Sequence, residues 1–167
     1  MLDRIKATIA TIGSDKVKLI GLNFFDQDFS GIDLKKANLS RANFQKANLK
    51  NAVFSEAVLE WTIFEEADLT EADLSKTKMF RANLHQATLV SCNFKEAYLG
   101  KVNLRFANLL NADLSKAQLH FADLRDANLK GAKIEGADFR WSRYNNGTIW
   151  PDEDYDPLLT GAILYVR

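Results

Sequence analysis

The sequence predicts an all-β solenoid, and two regularities predict it. From Leu19 to Ile149 every fifth residue is apolar, with no insertion or deletion. Two residues ahead of most of these centres stands an alanine or another small residue, so the unit reads A-[N/D]-[L/F]-x-x. A short repeat this regular means one small structural unit stacked many times over.

The period itself excludes the regular alternatives. On an α-helix five residues advance about 140°, so the leucines would spiral with no common face. On a flat strand an odd period sends alternate leucines to opposite sides. The repeat is coherent only if the chain turns a corner once per unit and points its centre inward each time. Coils built this way stack like parallel strands, about 4.8 Å apart, each touching only its neighbours. Columns twenty residues apart align Phe24, Phe44 and Phe64 in the core, and Trp61, Phe121 and Trp141 outside. Columns of fifteen group them less well, which favours four sides to a coil.

The centres fill the middle of the coil, and the small residues sit near its corners. Ala37, Ala42, Ala47, Ala52 and Ala57 follow the rule; Thr62, Thr77, Cys92 and Ser142 are small variants of it. Burying each Leu or Phe contributes about 1.5–3 kcal/mol before chain entropy is set against it.

The run ANLSRANFQKANLKNAVF, with ADLTEADLSK and ANLLNADLSKAQLHFADLRDANL, resembles the pentapeptide repeat family over roughly residues 22–144. The resemblance implies a right-handed quadrilateral β-helix with about six coils, a rod roughly 30 Å long at the strand spacing. It also implies kinship with uninterrupted repeat proteins abundant in cyanobacteria, some of them regulators that act through protein contacts.

Both ends of a solenoid need closure. Residues 1–16 form the expected N-terminal cap, where Leu2, Ile5, Ile9 and Ile12 recur at helical steps and define a short amphipathic helix across the first coil. Leu22, Gln27 and Ile32, oversized for the small position, are expected to help close that end. The β-helix is expected over residues 17–146, and Asn145-Asn146-Gly147 is a turn signal. Residues 147–167 resemble the T-x-[F/W]-P…D-P…G-A extension found on many family members. They are expected to cap the last coil or to pair two copies of the chain in a homodimer.

Composition narrows the function classes. Lys plus Arg and Asp plus Glu number 22 each, so no global field attracts nucleic acid or an anionic membrane. No apolar run approaches the ~18 residues of a membrane span, and the first residues lack the h-region of a signal peptide. A single cysteine, Cys92, fits a reducing compartment, and a cytoplasmic location is expected. No catalytic, cofactor or metal site is expected. His85 and His120 lie on different sides of the coil with no ligand partners at suitable spacing, and glycines form no phosphate-binding loop.

Sorted into columns of twenty, three faces read as ordinary solvated surface. The fourth gathers Arg41, Val58, Trp61, Phe80, Arg81, Tyr98, Lys101, His120, Phe121, Arg140 and Trp141. Large aromatics and cations with few acids are the composition of binding hot spots. A partner-binding role is therefore expected for Arg41, Trp61, Phe80, Arg81, Tyr98, Lys101, His120, Phe121, Arg140 and Trp141, with an unknown protein as partner. Cation–π pairs such as Trp61 with Arg41 or Arg81 would instead tie neighbouring coils together. The alternative function is that of a DNA mimic that binds gyrase, as some relatives are known to do. The zero net charge and the cationic face argue against it.

The inward assignment predicts that Leu84→Asp abolishes cooperative unfolding, a loss above ~4 kcal/mol, whereas Gln86→Asp on the outside barely shifts it. Equal melting temperatures for the two variants would refute it.

Overall fold

A computed structural model describes residues 2–166; the side chains of Leu2, Lys6, Ile9, Ala10 and Ile12 lie outside the description. The chain is a β-solenoid whose coils are joined by parallel bridges between residues n and n+20, from Lys18↔Asn38 to Asp123↔Arg143. With a turn every five residues, each coil has four sides.

One unit, Ala37 to Arg41, shows why the chain closes this way. The Leu39 amide donates to Val58 O in the next coil, at 2.8 Å, and Asn38 donates to Val17 O in the previous one, at 2.9 Å. The Arg41 amide reaches Glu60 O at 2.9 Å, and Ala37 closes the preceding turn onto Leu34 O at 3.1 Å. The fifth amide, that of Ser40, donates to the Asn38 side-chain Oδ1 at 3.1 Å. Every N–H of the unit therefore has a partner, as burial of backbone requires. The Asn or Asp ahead of the centre is the piece that supplies the fifth. It also builds a side-chain ladder: Asn93 Nδ2 donates to Asp73 Oδ1 at 2.9 Å, and Asn103 Nδ2 to Asn83 Oδ1 at 2.9 Å.

The corner is a β-turn whose third residue is left-handed. From Gly21 to Trp141 every fifth residue has a positive φ, and the non-glycine ones lie between 55° and 61°. This is the φ sign that a type II turn demands at that place. No Val, Ile or Thr occupies any of these positions, because a branched β-carbon clashes there most severely.

Inside, the centres from Phe24 to Leu129 are completely buried. Phe24, Phe44 and Phe64 stack at 4.9 and 5.4 Å between ring centroids, the aromatic ladder that twenty-residue columns predict. Three of the polar variants at the small position are satisfied by nearby carbonyls, whereas the buried Ser142 Oγ has no partner among the described residues. Thr62 Oγ1 donates to Leu39 O at 3.1 Å, Thr77 Oγ1 to Leu74 O at 2.6 Å, and Cys92 Sγ to Leu69 O at 2.7 Å. Burial pushes the Cys92 thiol up to about 12, so it is a packing residue rather than a nucleophile.

The ends depart from the sequence reading in three places. Helix α1, Leu2–Ile12, forms, and its Ile5 is buried beside Val17 and Leu19. The side chains of Leu2, Ile9 and Ile12 lie outside the described residues. Of the three oversized residues assigned to closure, only Ile32 is buried; Leu22 and Gln27 are exposed.

At the other end the register slips. Asn128 pairs with Ile149, a separation of twenty-one rather than twenty. The extra residue lies in the Asn145–Gly147 turn, where Asn145 Oδ1 accepts from the Asp126 amide at 2.9 Å in place of a backbone carbonyl. Ile149 is therefore not a centre and is 51% exposed. Trp150 takes that place, packed edge-on against Phe139 and Tyr144 and tilted against Tyr155.

The tail then rejoins the coil. Strand β1, Arg143–Tyr144, pairs in parallel with β2, Ile163–Leu164, again at a separation of twenty. Ala162 is buried at the small position, and Gly161 takes the left-handed corner at φ 77°.

The corner geometry carries a test at Glu71, which makes no ion pair among the described residues. Glu71→Val is expected to cost about 1–2 kcal/mol from steric strain at positive φ. Glu71→Gly is expected to be neutral or stabilising within about 1 kcal/mol. Chemical denaturation measures both, and equal midpoints would contradict the turn assignment.

Candidate interaction face

The fourth face is built from three positions of each unit on one side of the coil. The second turn residues form a column of Arg41, Trp61, Arg81, Lys101, Phe121 and Trp141, all left-handed. The first turn residues are Ser40, Glu60, Phe80, Gly100, His120 and Arg140. The residues ahead of the centre are Asn38, Val58, Lys78, Tyr98, Gln118 and Asp138.

These columns bring most of the expected residues into one continuous contact chain. Arg81 lies over the Trp61 ring at 4.6 Å and beside Phe80 at 5.5 Å. Lys101 spans Phe80 and Phe121 at 5.8 and 5.7 Å. Phe121 stacks on Trp141 at 5.1 Å, and Arg140 approaches the Trp141 ring at 5.8 Å. Trp61, Phe80, Tyr98, Phe121 and Trp141 remain between 40% and 51% exposed. Each thus packs one side on its neighbours and shows the other to solvent. Arg81, not Arg41, covers Trp61; among the described residues Arg41 has no cation–π contact.

Two of the expected cationic residues are held by an acid. Arg140 Nε donates to Asp138 Oδ1 at 2.9 Å, and His120 Nε2 lies 2.8 Å from Asp138 Oδ2. The hydrogen bond from Arg140, with the charges of His120 and Arg140 behind it, holds the Asp138 carboxyl at about 2. By contrast Lys78, Arg81 and Lys101 form no ion pair among the described residues.

Lys78, Glu60, Gly100, Gln118 and Asp138 also belong to this face; the last four are neither aromatic nor cationic, so a hot-spot composition does not point to them. Glu60, Lys78, Phe80, Tyr98, Gly100, Lys101, Gln118, His120 and Phe121 line a groove of about 440 Å³. The signal for it is in the repeat: the Asn/Asp ahead of the centre is missing in four consecutive coils, at Val58, Lys78, Tyr98 and Gln118. Among the described residues no group of His, Cys, Asp and Glu could hold a metal ion, and no helix is long and apolar enough to cross a membrane.

The Asp138 pairing predicts an acid limb. A depressed pKa adds stability that is present above the unfolded value near 4 and lost as pH falls through about 2. In melting curves across pH 2–6, Asp138→Asn should fall below the native protein at pH 5–6, with the gap closing toward pH 2. A gap that is constant with pH would contradict the pairing.

Comparison with known proteins fits this architecture. The model of the pentapeptide repeats family matches in eight copies, over residues 18–55, 52–89, 92–131 and 107–143. A crystal structure of alr5209, a pentapeptide repeat protein from Nostoc Pcc 7120, is 33% identical, with a TM-score of 0.60 over 62% of this chain and 84% of that one. A trypsin-treated form of QnrB1, a plasmid-mediated fluoroquinolone resistance protein, is 19% identical, with a TM-score of 0.58 over 89% of this chain and 91% of that one. That second likeness is one of fold alone. No curated protein matches. With the family's repeat running through most of its length, and with coils that close every twenty residues, the chain belongs to the pentapeptide repeat family.

Proposed function

We propose that this protein is a non-enzymatic interaction module, a right-handed quadrilateral rod of about six coils that presents its aromatic and cationic face to a protein partner. The observation that carries the reading is the half-exposed aromatic column interleaved with unpaired cations, Trp61 to Trp141. A contiguous patch of that kind on a monomer marks an interaction surface. Among the described residues the core is filled by its own centres and the grooves are open, which supports a binding role over catalysis.

Within this proposal the setting is cytoplasmic, which the lone buried Cys92 supports. The tail supports a second contact. While Trp150 packs on the last centres, Leu158, Leu159 and Val166 stay 59%, 86% and 79% exposed. Apolar surface at the end of a rod suits pairing of two copies there.

The competing reading, a DNA mimic acting on gyrase, draws support from the fold likeness to QnrB1. It sits poorly with zero net charge and with cations on the most distinctive face.

A pull-down separates the two readings. Replacing Trp61, Phe80 and Phe121 together by Gln should remove the partner recovered from the native lysate and leave the circular dichroism spectrum unchanged. Partner recovery by the triple variant equal to that of the native protein would reject the face. Inhibition of gyrase supercoiling that survives the substitutions would favour mimicry.

A further inference from the structure

Within the face, one column of backbone amides differs from all the others. In the regular unit the first turn residue donates its N–H to the Asn or Asp ahead of the centre, as Lys95 does to Asn93 and Ser115 to Asp113. Val58, Lys78, Tyr98 and Gln118 replace that acceptor, so the amides of Glu60, Phe80, Gly100 and His120 have no protein acceptor among the described residues. Elsewhere the acceptor is lost only singly, at Lys18, Val53, Ile63, Thr88, Lys133 and Arg143, never in adjacent coils. Four donors at the coil spacing make a row about 14 Å long. They run along the groove already described.

The floor of that groove is Gly100, and the fold does not require glycine there. Gly100 is not in the left-handed region, and a β-carbon would meet the nearest atom, Phe80 Cδ2, at 3.4 Å, an ordinary contact. Among first turn residues from Ile20 to Arg140 it is the only glycine. What the glycine provides is an open floor between the Phe80 ring and His120, walled by Tyr98 and Phe121.

The chemistry of an occupant follows from these groups. N–H donors that have no protein acceptor and line an open groove are available to an acceptor on a ligand. Lys78 and Lys101 add positive charge without a partner acid. The open apolar floor takes a side chain without charge. Glu60 at one end and the Asp138 carboxylate beyond the other limit the stretch that favours negative charge. A continuous polyphosphate would meet repulsion at both ends, whereas a short peptide can place neutral carbonyls there. At about 3.3 Å per extended residue, 14 Å fits four or five residues.

We propose that the groove docks an acidic peptide segment of a partner protein with one apolar anchor. The anchor rests on Gly100, and its flanking carboxylates and carbonyls accept from the amides of Glu60, Phe80, Gly100 and His120 beside Lys78 and Lys101. The proposal rests on the interaction reading above and names the partner chemistry for that face.

The test uses a fluorescein-labelled peptide, DDEFDED, with KKRFKRK and the oligonucleotide dT10 as comparators. In titrations of isotope-labelled protein, DDEFDED should move the amide resonances of Glu60, Phe80, Gly100 and His120 downfield and leave those of Lys95 and Ser115 in place. By anisotropy its affinity should fall at least tenfold in Gly100→Leu and in the double variant Lys78→Glu, Lys101→Glu. Gly100→Ser, a smaller change, should give an intermediate loss, with the melting temperature held in both glycine variants. Binding of KKRFKRK as tight as that of DDEFDED, unmoved amides, or indifference to Gly100→Leu would overturn the proposal. So would dT10 binding that Gly100→Leu removes, which would assign the groove to nucleic acid. The two readings fail differently in the lysate pull-down. A partner lost by the Trp61, Phe80 and Phe121 variant but kept by Gly100→Leu leaves the face standing and removes the groove. A partner kept by both removes the face itself.

Discussion

The whole molecule depends on closing the backbone hydrogen bonds of a five-residue unit without help from a sheet of any width. Four of the five amides find carbonyls in the chain: one in the preceding turn, one in the previous coil and two in the next. The geometry that allows this needs a left-handed residue at each corner, and it leaves one amide over. The left-handed residue explains the residue types that the second turn position avoids. The remaining amide explains the Asn or Asp ahead of the centre, whose short side chain reaches the N–H two residues on. Alanine, Asn/Asp and Leu/Phe are thus three answers to one constraint: room at the corner, an acceptor for the spare amide, and filling for the middle.

Because that constraint is local and repeats, the inside of the protein was readable from the period alone. The centres from Phe24 to Leu129 are buried as the apolar pattern requires, and the stacking of Phe24, Phe44 and Phe64 bears out the twenty-residue column. The reading went wrong where an apolar residue sat in phase by coincidence. Ile149 continues the count of five from Tyr144, yet the chain spends one extra residue in the Asn145–Gly147 turn. The neighbouring Trp150 fills the centre instead. The turn signal was visible, but its length was not, since an Asn side chain can stand in for a missing backbone carbonyl. Leu22 and Gln27 show the same limit: with no coil below them, the inward rule loses the surface that enforces it.

The face was legible by a different route, and only in part. Its aromatics and cations stand out because they are large, and the twenty-residue columns place them together. What the columns do not reveal is which charges are already engaged. Arg140 and His120 share Asp138, whereas Arg41, Lys78, Arg81 and Lys101 have no acid against them among the described residues, and of these Lys78 and Lys101 line the groove. The remaining parts of the groove announce themselves by what is missing: a side chain at Gly100, and an Asn or Asp at four positions in a row. Such omissions carry meaning only once the role of the ordinary residue is known.

A solenoid of this kind separates fold from function more cleanly than a globular domain does. Three positions of each unit are set by closure and packing, namely the small residue, the residue ahead of the centre and the centre itself. The two turn residues are left to solvent. The acceptor position is the exception that couples the two demands. Replacing Asn or Asp there gives up an internal hydrogen bond worth roughly 1 kcal/mol and frees a backbone donor at the surface. Scattered single losses are tolerated as small costs of stability. Four in adjacent coils, all on the side that carries the exposed aromatics and the open Gly100 floor, leave a row of donors where the rod has most to offer a ligand. The stability lost in that column is recovered in part by the cation–π and stacking contacts between coils, from Trp61 to Trp141. The same aromatic column therefore holds the coils together and forms the wall of the groove.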